Sequence, residues 1–325
     1  MSSINTEAPI VTIIGGSGFV GRYVAQAMAQ RGWRVRVACR RPNEAGFVRP
    51  YGVVGQVEPV QCNVRDDASM AKVIAGSTAV VYSVGVLFES GKNSFDAVQA
   101  EGPERAARLA AEAGVERFVL ISAIGADAES PAQYARTKAA GEAGVLGHYP
   151  QAVILRPSIV FGTEDQFFNR FAGMARFSPV IPIVGGSTRF QPVWVQDVAE
   201  ATAMAVTGTA APGIYELGGP NIYSFRGLVE LTLATIRRRR AIVDIPFAIG
   251  RLQGRVLQIL PEPPLTLDQV RLLERDNVVS AEARGFADLG IAPEAPEGIV
   301  ESYLVRFRPR GQYTDMIEAA RDRAS

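Results

Sequence analysis

Histidine occurs once in these 325 residues, at His148, and cysteine only twice, at Cys39 and Cys62. A zinc or di-iron site has almost no ligands to draw on, so no metal is expected. Two cysteines make no disulfide framework, and their places near the ends of apolar runs suit buried thiols in a reducing compartment. Lysine is nearly absent as well. Lys72, Lys92 and Lys138 are the only ones, because arginine supplies almost all the positive charge. With a net charge of +1 the chain has no global field for nucleic acid, and no such partner is expected. No uninterrupted apolar stretch approaches a membrane span. The leader Met1 to Pro9 is short and polar and lacks the arginine-rich amphipathic character of a transit peptide. The expectation is a cytosolic protein, or one attached to a membrane from the cytosolic side.

Glycine, by contrast, is concentrated where it is informative. The apolar run Ile10-Val11-Thr12-Ile13-Ile14 leads straight into Gly15-Gly16-Ser17-Gly18-Phe19-Val20-Gly21 and then an amphipathic stretch to Gln30. A strand, a glycine turn and a helix in that order form a dinucleotide fingerprint. The turn needs glycine, and a pyrophosphate reaches the helix N-terminus only where no Cβ blocks it. Gly15, Ser17, Gly18, Phe19, Val20 and Gly21 are the candidate contacts. Val35 to Ala38 reads as the second strand, which completes the context that the motif requires.

The end of that strand bears on which nucleotide binds. NAD binders carry an Asp or Glu there for the adenine ribose. This chain reads Ala38-Cys39-Arg40-Arg41, and paired guanidinium groups suit a ribose phosphate. NADP(H) is favoured over NAD(H); a solvated arginine pair is the plainer alternative. Cys39 and Cys62 would then sit beside the cofactor.

Strand-helix alternation continues through strands at 57–62, 79–84, 117–122 and 153–155, with helices at 70–75, 94–113 and 133–146 between them. Gly114 suits the left-handed position that stops the second of these helices. The pattern predicts an α/β fold, a Rossmann-type doubly wound parallel sheet. Ligand contacts at its carboxyl edge then include Asn63, Val64, Ser83, Val84, Gly85, Pro157 and Ile159. Beyond residue 165 the pattern loosens. A helix is expected at 165–176, a Pro/Gly-rich crossing at 179–186, a strand at 193–195 returning to the sheet with a helix behind it, and helices at 224–240, 246–260 and 266–275, the last capped by Thr266. The organisation read from this is a dinucleotide-binding unit over 8–222, with 165–190 contributing to a second lobe. A smaller docking region covers 223–300, and an extended basic-aromatic tail with little core to offer covers 301–325.

One pair can do chemistry. Tyr134 and Lys138 stand four residues apart, on one helix face. The ammonium favours the phenolate, lowering the tyrosine pKa toward a useful range, and can also hold a nicotinamide ribose. In a chain so poor in lysine, Lys138 is not an arbitrary surface cation. Ser122, at a strand end, is the candidate hydroxyl donor to a substrate carbonyl, or else simply caps its loop.

These residues together resemble the extended and atypical short-chain dehydrogenase/reductases. The wider glycine spacing fits, as do Tyr134 with Lys138, Leu155-Arg156-Pro157-Ser158-Ile159-Val160-Phe161-Gly162, Pro192-Val193-Trp194-Val195-Gln196-Asp197-Val198-Ala199 and Tyr215-Glu216-Leu217-Gly218-Gly219-Pro220. The resemblance implies a Rossmann fold, NADP(H) and Tyr/Lys catalysis where the protein is active. The C-terminal third narrows it. Leu260-Pro261-Glu262-Pro263-Pro264-Leu265-Thr266-Leu267-Asp268-Gln269-Val270, Leu272 to Val279, and Tyr303 to Tyr313 resemble the nucleotide-binding accessory subunits of respiratory complex I, in a bacterial version. That resemblance implies other complex I subunits as partners and a place on the cytoplasmic side of the inner membrane. It also implies NADPH or NADP held without turnover. The family's catalytic Ser or Thr register falls on Ile124 here, which donates nothing. The implied alternative is a soluble NADP-dependent reductase or sugar-nucleotide epimerase/dehydratase that uses Tyr134 and Lys138. A third reading is a regulator that senses NADP(H).

A docking role has its own residues. Arg237 to Arg240 end one predicted helix, and on the next Arg251 and Arg255 lie opposite Phe247, Leu252, Val256 and Ile259. A basic amphipathic stretch over 237–260 suits a membrane surface or an acidic partner; the alternative is an ordinary surface helix.

Overall fold

The computed structural model describes residues 7–311. Its core is built from short strands, the central ones runs of apolar residues buried on both faces. The strands are β1 (Ile10–Ile14), β2 (Arg34–Cys39), β3 (Val57–Gln61), β4 (Ala79–Tyr82), β5 (Arg117–Ile121) and β6 (Val153–Pro157). Between them run α1 (Phe19–Gln30), α2 (Asp67–Ile74), α3 (Glu101–Glu112) and α4 (Gln133–His148). The predicted helix at 94–113 starts with a wider turn, Asp96–Ala100, in which hydrogen bonds reach one residue further than in an α-helix. Gly114 has φ +67 beyond its end, as its sequence position implied.

The chain then leaves the sheet through β7 (Val160–Phe161), α5 (Phe168–Phe177), β8 (Val180–Val184), β9 (Arg189–Phe190) and β10 (Val193–Trp194). It returns with α6 (Val195–Thr207) and β11 (Gly213–Leu217), and continues as β12 (Tyr223–Ser224), α7 (Phe225–Thr235), β13 (Ala241–Ile245), α8 (Phe247–Leu257), α9 (Leu267–Leu273) and α10 (Pro296–Leu304). The main sheet has the order β11-β6-β5-β4-β1-β2-β3, with every pairing parallel. The order reverses between β1 and β4, which opens a crevice at their carboxyl ends where ligands of such folds bind. One face packs on α1 and α6 through Val24, Met28, Val198 and Val206; the other packs through Met70, Ile74, Ala106, Ala110 and Val145.

The second half departs from the sequence pattern in five places. The 179–186 crossing contains β8, paired in parallel with β13, with Pro182 opposite Val243. A proline fits because this sheet has only two strands, each with an edge. The strand expected at 193–195 does not reach the main sheet. β10 pairs with β7, and the seventh strand is β11. The predicted 224–240 helix ends at Thr235, and Arg237 takes φ +53. The arginine run is therefore off the helix, and Arg238 and Arg240 are tied to the rest of the fold. Arg238 Nε donates to the Phe307 carbonyl at 3.0 Å, and Arg240 Nε to that of Ala175 at 2.8 Å.

Tyr303 and Leu304, read from sequence as the start of a tail with little core, are buried with Phe161, Phe168, Ile181, Phe225 and Leu228 in the second lobe's core. The rest of the predicted tail, 312–325, lies outside the described residues. The expected division of α8 into a basic and an apolar face is not kept: Leu252 is 63% and Val256 58% accessible, Arg251 and Arg255 are exposed as well, Phe247 is half-buried, and Arg251 pairs with Glu274 at 2.8 Å. Only Gly250 and Gly254 of this helix are buried, so it rests on the body through its glycines.

Candidate functional site

The glycine turn has the geometry its motif requires. Gly15 has φ +86, and its N–H donates to the Ala38 carbonyl at 2.8 Å, which locks the turn to β2. A Cβ on Gly21 would lie 2.4 Å from the Gly15 carbonyl oxygen and 2.7 Å from the Gly16 Cα, so α1 approaches the turn as closely as two backbones can. Gly18 caps α1 with extended backbone and no side-chain acceptor. The first N–H groups of the helix therefore keep their donor capacity, beside the positive end of the helix dipole. This is a cradle for a pyrophosphate, and a dinucleotide fits it.

Around that turn the structure gathers most of the predicted contacts. Ser17, Arg40 and Arg41 line one cleft of about 310 Å³ together with Glu44, Ala45 and Phe47. The sequence showed no acid at the end of β2, but Glu44 reaches back to pair with Arg41 at 3.2 Å. Among the described residues no such acid stands against Arg40. Ser83 hydrogen-bonds the Ile14 carbonyl through both its N–H and its hydroxyl, so the loop after β4 is stitched to β1 at the crevice. Val84 packs on Gly15, and Gly85 faces Lys138, whose Nζ would lie 3.8 Å from a Cβ there. Asn63 is exposed at the end of β3, where its Oδ1 accepts the Arg65 N–H. Pro157 and Ile159 lie at the end of β6.

The Cys39 and Cys62 thiols are buried and unpaired, and burial pushes Cys62 up to about 11, so neither is a ready nucleophile.

Tyr134 and Lys138 share a face of α4, with Lys138 Nζ 5.9 Å from the Tyr134 ring centre. The expected mutual activation is absent. Burial pushes the Tyr134 phenol up to about 12, while the Lys138 ammonium is pushed down to about 8, mainly by burial and partly restored by Glu142. Desolvation outweighs their attraction at this distance. Lys138 Nζ has one hydrogen bond, to the Ile121 carbonyl at 3.3 Å. Phe95 packs edge-on against Tyr134.

Ser122 is buried just beyond the end of β5. Its hydroxyl donates to Glu142, a buried carboxylate that also accepts from Arg156 at 2.9 and 2.5 Å. Arg156 reaches on to Glu216 at 3.6 Å, and Glu216 takes the Ser280 N–H at 2.8 Å. This network ties α4, β6, β11 and the segment around Ser280 into one buried unit. Ile124 is buried beside it. Sequence reasoning missed Asn277, whose amide oxygen accepts from Ser158 at 2.7 Å, and Asp268, whose carboxylate caps α4. Both fall in segments that carry the resemblance, but their roles depend on partners more than a hundred residues away.

A wider cleft of about 780 Å³ lies in the second lobe between Gly185, Arg226 and Phe247, apart from Tyr134 and Lys138.

With fold and site in place, the class follows. A profile of the NAD dependent epimerase/dehydratase family matches residues 11–218, and the chain belongs to that family. It is similar over nearly its whole length to "NADH dehydrogenase [ubiquinone] 1 alpha subcomplex subunit 9, mitochondrial" of Arabidopsis thaliana, at 33% identity over 316 residues, covering 93% of this chain and 79% of that one. It also matches the "NADH-ubiquinone oxidoreductase 40 kDa subunit, mitochondrial" of Neurospora crassa, at 29% identity, covering 93% and 80%. Among solved structures, a dTDP-glucose 4,6-dehydratase from Streptomyces venezuelae with NAD bound superposes with TM-score 0.70 at 17% identity, covering 94% of this chain and 98% of that one. The last likeness concerns the fold alone. Among the described residues no helix is long and apolar enough to cross a membrane, and no cluster of metal-ligating side chains occurs.

Proposed function

We propose that this chain is an accessory subunit of respiratory complex I that holds NADP(H) without turning over a substrate of its own. The observation that carries the reading is the similarity to complex I subunits, which runs through the C-terminal third and not only the dinucleotide fold. The state of the site supports it. The Ser122 hydroxyl is spent on Glu142, Ile124 has no donor, and Tyr134 is held protonated well above neutral pH.

The backbone at Gly15 to Gly21 would take the pyrophosphate and Arg40 the ribose phosphate, with Arg41 assisting. Asn63 and Val64 would meet the adenine side. Ser83, Val84, Gly85, Pro157 and Ile159 would line the nicotinamide side, with Lys138 on its ribose. When bound, the nucleotide supplies a potential hydride donor or acceptor. The exposed apolar residues of α8 are those we assign to a hydrophobic subunit or membrane surface, on the cytoplasmic side of a bacterial inner membrane.

The test is mass spectrometry of the respiratory complex purified from the native membrane. The chain is expected in it with NADP(H), and an intact complex that lacks the chain overturns the proposal. For the cofactor, Arg40→Asp with Arg41→Ala is expected to weaken NADPH by about tenfold to a hundredfold, as for lost charge-assisted hydrogen bonds, and NADH much less. Equal loss of both refutes the phosphate role. The second reading, a soluble reductase or epimerase, rests on Tyr134 and Lys138 sharing a face at the crevice. It requires turnover that Tyr134→Phe abolishes.

A further inference from the structure

One segment between the lobes is left unexplained by nucleotide binding. Residues 264–277 lead into α9 and run past its end, and they are tied to both lobes along their length. On the second lobe, Thr188 donates to the Leu273 carbonyl and Arg189 pairs with Asp276 at 2.7 Å. On the sheet side, the segment meets each strand-end loop that surrounds Tyr134. The Asp268 carboxylate accepts the N–H groups of Gln133 at 2.6 Å and Tyr134 at 2.9 Å, capping a helix whose own Ala132 offers no side-chain cap. Gln269 Nε2 donates to the Leu87 carbonyl, after β4, at 3.3 Å. Arg275 pairs with Asp127, after β5, at 2.8 Å. Asn277 takes the Ser158 hydroxyl, after β6, and donates to the Ile124 carbonyl at 3.3 Å.

Ligands of a doubly wound sheet enter between these loops. Here the entrance on the Tyr134 side is crossed by a strap, while the cleft at Ser17 and Arg40, on the phosphate side, opens to solvent. The exposed ion pairs contribute little singly. The carboxylate that caps two backbone N–H groups is a stronger tie, and α9 is itself held by a capping box from Thr266 and Gln269.

We propose that residues 264–277 are a strap that closes the substrate side of the Tyr134–Lys138 site, so that a substrate as large as a nucleotide sugar does not reach it. The nucleotide part of this statement rests on the function proposed above; the closure itself does not. The test therefore reads closure in the protein alone. Tyr134 nitration by tetranitromethane, located by peptide mapping, is expected to be slow in the wild type. It should be about tenfold faster in Asp268→Ala, as should exchange of the Gln133 and Tyr134 amides, the effect expected for losing a helix cap.

Should Asp268→Ala unfold, Arg275→Ala loosens the strap with the cap intact and is expected to speed Tyr134 nitration in a chain with wild-type circular dichroism. Wild-type nitration as fast as in the folded variants overturns the strap. With NADPH bound, acrylamide quenching of its fluorescence is expected to rise in the same variants. A wild type that nitrates slowly but ignores NADPH overturns the nucleotide reading and leaves the closure standing.

Discussion

Lys138 offers the sharpest test, because burying its ammonium is a cost to the folded protein. Burial lowers its pKa from the ordinary 10.5 to about 8. At about 1.4 kcal/mol for each tenfold change in proton affinity, the charged ammonium costs the folded protein about 3 kcal/mol. The sign follows from proton counting. Below pH 8 both folded and unfolded chains carry the charge, and the whole cost is present. Between pH 8 and 10.5 the unfolded chain binds the proton more often, so stability rises with pH; above 10.5 both states are neutral and the cost is gone. Lys138→Met keeps the apolar stem and removes the charge, at the loss of one hydrogen bond, to Ile121. The variant is expected to be more stable than wild type at pH 7, by up to about 3 kcal/mol less the roughly 1 kcal/mol of that bond. The gap should close between pH 8 and 10.5. Urea unfolding of both proteins across this range measures it, and NADPH titration of the same samples should show weaker binding in the variant. A variant less stable than wild type at pH 7, or a gap that does not change with pH, refutes the argument that desolvation dominates this lysine.

Two further outcomes follow from the same geometry. Gly21→Ala places a Cβ 2.4 Å from the Gly15 carbonyl oxygen, so α1 must move; a loss of about 1–3 kcal/mol in urea unfolding is expected, with NADPH binding lost in calorimetry. Unchanged binding would remove the close-approach argument. Glu142→Gln leaves the Arg156 guanidinium facing only Glu216 and strips Ser122 of its carboxylate partner, which should cost about 3–5 kcal/mol by the same unfolding assay. A neutral effect would mean that the network contributes shape only.

Much of the first half was legible because its signals are local. Buried parallel strands read as short apolar runs, and the Gly15 to Gly21 spacing is dictated by contacts within a few residues. Thr266 was readable as a cap for the same reason, and its capping box is formed. The second half was harder because its pairings join distant segments. Val180 to Val184 looked like a crossing until Ala241 to Ile245 was placed beside it, and β11 gave no helix-strand rhythm to announce a seventh strand. Tyr303 looked like tail because its contact, a hydrogen bond to Asp165, spans 138 positions.

The amino-acid sequence by itself determined a Rossmann-type parallel sheet, its glycine turn, the scarcity of metal ligands and a Tyr/Lys pair on one helix face. Each of these depends on residue type, composition and spacing along the chain. Only the tertiary structure decided the fate of the chemistry. It gave the Ser122 hydroxyl to Glu142, raised Tyr134 and lowered Lys138 by burial, and laid Asp268 across the start of α4. Desolvation and long-range hydrogen bonding depend on what surrounds a group in space, which no spacing along the chain encodes.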